Sequence, residues 1–121
     1  MKIIKVTDLF LASSCDEMLT ALIMDERSYD TNIREDFVVR DWYSTTLDNE
    51  QLVTFVAMQG EEVIGFIHGF VKDEAGTFVN NTVIVLDAMY VKEKTENRVL
   101  ELRLLKSLRN GVNQLMQNSL I

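Results

Sequence analysis

Few side chains here have types suited to chemistry, and they are scattered. His68 is the single histidine, set between Ile67 and Gly69. An imidazole with no acid or thiol beside it in sequence is more often structural or exposed than catalytic. Cys15 is the only cysteine and falls on an apolar helical stripe, where a thiol behaves as a small core group. Asp87 is the one charge in the apolar run 82–91. A general base there would need burial to raise its pKa; its plain reading is a strand residue facing solvent or paired with an arginine. Strict strand alternation puts Tyr90 on the opposite face from Asp87, as a packing residue rather than an acid. Trp42 and Tyr43 could border a cleft, but anchoring a helix on a sheet is the ordinary role for such a pair. No metal-ligand spacing, phosphate-binding P-loop or Ser/His/Asp order is visible.

The elements that must position these groups follow from hydrophobic periodicity. Lys2–Thr7 is a short β-branched strand. Asp8 or Thr7 offers an N-cap oxygen, and Leu9, Leu11, Cys15, Met18, Leu19, Leu22 and Ile23 recur at helical spacing, predicting a helix to about Asp25. After a polar break at 28–32, Ile33, Phe37, Val38, Asp41 and Trp42 predict a second, shorter helix ending near Thr46. Gln51–Met58 and Val63–Val71 read as a hairpin around Gly60, a positive-φ glycine. Lys72–Gly76 turns again, and Thr82–Val91 is the longest apolar strand. From Glu96 the period returns to that of a helix, with Val99, Leu102, Leu105, Leu108 and Val112 on one face. The order β-α-α-β-β-β-α predicts an α+β fold: a mainly antiparallel four-stranded sheet flanked by three helices.

Composition narrows the function classes. With 121 residues and 47% hydrophobic content, residues 1–121 make one domain. No apolar run reaches the ~18 residues of a membrane span. MKIIKV starts as a strand, with no apolar segment after a basic one, so no secretory signal is expected. A lone cysteine fits a reducing, cytoplasmic setting. The net charge of −7 argues against a general nucleic-acid binder. Charge is also uneven: residues 1–91 hold six Lys/Arg against sixteen Asp/Glu, whereas 92–121 hold six against three. A solvated acidic surface is the ordinary reading of the first part.

The element order, the hairpin AMQGEEVIGFIHGFV and the stretch MYVKEKTENRVLELRLL together resemble the Gcn5-related N-acetyltransferase (GNAT) family, over about residues 1–118. The resemblance is to the N-terminal half of that fold. It implies an acetyl-CoA site in which Met89 and Val91 hold the thioester through backbone groups, while the loop Glu96, Asn97, Arg98, Val99, Leu100 and Glu101 holds the phosphates. It also implies that Asp87 receives the acceptor amine or relays its proton. The family motif is Gln/Arg-x-x-Gly-x-Gly/Ala, whose glycines let the backbone approach the pyrophosphate at a helix N-terminus. Here Glu96 stands at the amide or basic position, Val99 at the first glycine and Glu101 at the second. A carboxylate beside two phosphates costs Coulomb energy, which Arg98 and Arg103 would offset in part through bidentate contacts.

Two functions follow from the resemblance. One is a catalytically lapsed relative acting as a binding or structural subunit; the other is an acetyl-CoA-dependent N-acetyltransferase acting on a primary amine. Family members continue with a fifth strand beside the fourth, and with a later tyrosine acid. Ending at Ile121, this sequence is expected to leave the strand 82–91 with an open edge, without proline or lysine to protect it. Pairing of that strand with a second copy or another protein is the expected remedy.

Overall fold

The computed structural model describes residues 2–49, 51–73, 82–92 and 98–119. Its elements are β1 (Lys2–Lys5), α1 (Leu9–Asp25), β2 (Leu52–Gln59), β3 (Glu62–Asp73), β4 (Thr82–Val91) and α2 (Arg98–Ser119). The strands form one sheet in the order β1-β2-β3-β4, with every neighbouring pair antiparallel.

Local chemistry accounts for the boundaries. Asp8 is extended and accepts the Leu11 N–H at 2.8 Å, so α1 starts where an N-cap oxygen meets an orphan donor. Gly60, at φ 63°, turns the β2–β3 hairpin in the left-handed region open to glycine. The two faces of the sheet carry separate cores. On one side Leu11, Ala12, Cys15 and Met18 of α1 meet Val56, Val63, Phe66 and Tyr43. On the other, Leu100, Leu104 and Leu108 of α2 meet Val53, Ala57, Ile64 and Ile67.

Besides the face of α2, where Leu100, Leu104 and Leu108 are buried and the expected stripe Val99, Leu102 and Leu105 is exposed, two expectations need correction. Residues 33–46 form no α-helix; they run irregularly to a single 3₁₀ turn at Ser44–Thr46. Among the described residues the sheet is therefore flanked by two α-helices, not three. The reason is tertiary. Thr20 Oγ1 accepts the Val39 N–H at 2.9 Å, and Asp16 Oδ1 accepts the Tyr43 N–H at 3.0 Å. These α1 side chains take donors that a helix would have used internally, and Asp41 sits at φ 55°, outside helical space.

The second correction concerns β4. His68 pairs with Ala88 and Gly69 with Leu86, which leaves Asp87 as the extra residue of a β-bulge. Strict alternation fails there, and Asp87 does not lie opposite Tyr90. Its charge reaches Tyr43 and His68, in the layer beneath α1 where Tyr90 also packs.

Candidate functional site

The polar residues gathered under α1 are those the sequence scatters widely. His68, on β3, is buried, and its Nδ1 lies 2.6 Å from Thr54 Oγ1 across the β2–β3 pair. Tyr43 stands edge-on to the rings of both Phe66 and His68, with centroids 5.4 and 5.1 Å apart. Burial lowers the His68 pKa from the usual imidazole value, with the Asp87 charge opposing. Burial likewise raises the Tyr43 phenol, assisted by Cys15, Asp87 and Asp16. The Cys15 thiol is pushed up to about 12 by burial and by Asp16. The result is a desolvated neutral layer bordered by two carboxylates, Asp16 and Asp87.

The residues singled out earlier divide clearly. Cys15 is a core residue, His68 a buried structural imidazole, and Tyr43 an anchor on the sheet, while Trp42 points to solvent. Asp87 is exposed at the bulge. Met89 and Val91 are half-buried and pack against the α2-side core. In the first turns of α2, Arg98 and Val99 are exposed, Glu101 is half-buried, and Leu100 is committed to the core. Glu96 and Asn97 lie outside the described residues. Asp87 and the start of α2 therefore belong to different layers, with Met89 and Val91 between them on β4.

Asp16 was not foreseen. It is buried although charged, because its Oδ1 holds the Tyr43 backbone. The available signal was its position between Ala12 and Thr20, four residues apart on the inward side of α1. Asp16 also lines an open groove of about 350 Å³ with Leu9, Glu17, Arg40 and Asp41. A second groove, about 310 Å³, runs between α1 and the hairpin past Phe10, Glu17, Glu61, Tyr90 and Lys92. Both place carboxylates at their rims. Among the described residues, no group of three acidic, histidine or cysteine side chains could hold a metal. No helix there is long and apolar enough to cross a membrane.

No family model matches the sequence, and no curated protein does. Solved structures do match. An acetyltransferase from Vibrio fischeri superposes with a TM-score of 0.71 at 15% identity, over 94% of this chain and 88% of its own. A predicted acetyltransferase from Clostridium acetobutylicum, solved with acetyl-CoA, gives 0.63 at 18% identity, over 93% and 73%. A third, an AAC(6')-Iy structure with a CoA-containing bisubstrate analogue, gives 0.66 at 15%, over 93% and 71%. The fold is that of the GNAT acetyltransferases.

Among the described residues β4 is the last strand of the sheet, with its bulge at Asp87, and α2 packs on the face opposite α1. The described part of the expected phosphate loop does not fit the coenzyme A pyrophosphate. Val99 carries a side chain where the motif requires glycine. Glu101 puts a carboxylate in the first turn of α2, where the helix dipole would otherwise favour a bound anion.

Proposed function

We propose that this GNAT-fold protein no longer transfers acetyl groups and acts in the cytoplasm as a binding or structural subunit of an assembly. The observation that carries this reading is the first turn of α2. Glu101 already supplies the negative charge suited to that helix end, and Val99 and the buried Leu100 give no glycine cradle for a pyrophosphate. Arg98 and Arg103 are exposed cations that would offset only part of the cost. In this reading the partner adds a strand along the outer edge of β4, either from a second copy or from another protein. Titration calorimetry with acetyl-CoA tests the loss of function. The expected result is no heat at millimolar cofactor, and micromolar affinity would sink the proposal.

One observation favours the second reading, an acetyl-CoA-dependent N-acetyltransferase of primary amines. The Asp87 carboxylate at the bulge acts on the Tyr43 and His68 layer. The two grooves along α1 each carry more acids than bases, Glu17 and Glu61 beside Lys92 in one and Asp16, Glu17 and Asp41 beside Arg40 in the other. If acetyl-CoA binds, turnover with a panel of primary amines, lost in Asp87→Asn, would identify this reading.

A further inference from the structure

α2 is amphipathic in an unusual way. Its inward side is Leu100, Leu104 and Leu108, all buried against the sheet. At 100° per residue, Val99 and Leu102 fall on the opposite side and Leu105 on the flank between the two, and they are 63, 59 and 37% exposed. A surface helix normally gives that side to polar residues. Exposed cations accompany this stripe: Arg98, Lys106 and Arg109 lie within it, and Arg103 borders it. The ion pairs among the described residues are Arg27–Glu35, Arg34–Asp36 and Lys92–Glu62, and none of the four α2 cations enters one.

We infer that this face docks an acidic amphipathic helix of another protein. Charge complementarity selects the occupant. The face concentrates positive charge that enters no ion pair among the described residues, on a chain whose residues 1–91 carry ten more acids than bases. A twofold contact of α2 with α2 in a second copy would set cations against cations. An anionic bilayer is an extended surface that would also repel the acidic remainder of the molecule. A partner helix confines its negative charge to the patch. Residues 98–109 span ~16 Å at the helical rise, about three turns of such a partner. Apolar side chains on that helix would sit between Val99, Leu102 and Leu105, with glutamates flanking them to meet the arginines and Lys106.

The probe is a fluorescently labelled synthetic helix with leucines at i, i+3, i+4 and i+7 and glutamates on either side, alongside a twin carrying lysines instead. Anisotropy titrations with the 121-residue chain should show the acidic peptide binding and the lysine twin not binding. Affinity should fall several-fold between about 50 and 300 mM salt. Leu102→Ser and the double variant Lys106→Glu/Arg109→Glu should each weaken binding about tenfold with an unchanged melting temperature. These substitutions avoid Asp87 and the loop 96–101, and the titrations contain no coenzyme A, so their failure is distinguishable from a failure of the cofactor test. Equal binding of both peptides, binding of neither, or indifference to the variants would overturn the inference. So would sedimentation of the chain with phosphatidylserine vesicles, or self-association, abolished by those variants in place of peptide binding.

Discussion

At the residue scale, the buried layer beneath α1 ties side-chain chemistry to stability. His68 is held neutral by burial beside Thr54 and Tyr43. Its folded pKa lies below the ordinary 6.5, so between those two values the unfolded chain binds a proton that the native one refuses. The contribution from His68 is therefore fully present above about 6.5 and is lost as pH falls below it. Melting temperatures recorded at intervals from about pH 7.5 down to 5 should decline, and the decline should be shallower in His68→Gln. An equal slope in that variant would remove His68 as the cause. Cys15, with its thiol pushed up to about 12, has almost no thiolate at neutral pH. A disulfide reagent should leave it unmodified in the native protein and react once denaturant is added. Rapid native labelling would contradict its place in the core.

At the element scale, the contact between β3, β4 and α2 is set by small residues. A Cβ on Gly69 would stand 2.9 Å from the Val85 carbonyl oxygen and 3.0 Å from a Leu108 methyl. Backbone on one side and a buried leucine on the other leave little room to relax. Gly69→Ala should therefore cost ~2 kcal/mol, read as a lower urea midpoint with an unchanged m-value. Gly69 lies directly beside the register shift that leaves Asp87 unpaired. Asp87 is the extra residue of that irregularity, so the close approach at Gly69 and the placing of the carboxylate belong to one local feature of the sheet. A wild-type midpoint in the alanine variant would mean the sheet tolerates a wider spacing there.

At the scale of the whole molecule, both helices protect faces of the sheet, while the β4 edge has no strand beside it among the described residues. Leu86 on that strand is 46% exposed. An apolar edge of this kind invites strand addition. Sedimentation velocity across a concentration series should show reversible self-association. Leu86→Lys should shift it towards monomer and Asp87→Asn should barely alter it. A monomer throughout the micromolar range would defeat edge pairing between copies and leave only a foreign strand as partner.

Much of this fold was legible in the residues. The apolar run 82–91 became β4 over those same residues, Asp8 capped α1, and Gly60 turned the hairpin. These features depend on neighbours in sequence, through propensity, capping and positive φ. The acetyltransferase-like order of elements was legible for the same reason. What pattern could not supply depends on groups distant along the chain. The helix expected over 33–46 gave way because Asp16 and Thr20, 27 and 19 residues back, bind its backbone. The face of Asp87 was misassigned because a period of two contains no information about a bulge, which arises only when two strands are matched. The sequence by itself determined which segments become strands and helices, since those choices are local. Only the tertiary structure decided that His68, Tyr43 and Asp16 share one buried layer with the exposed Asp87 at its border, because burial and cross-strand register exist only after the chain has closed on itself.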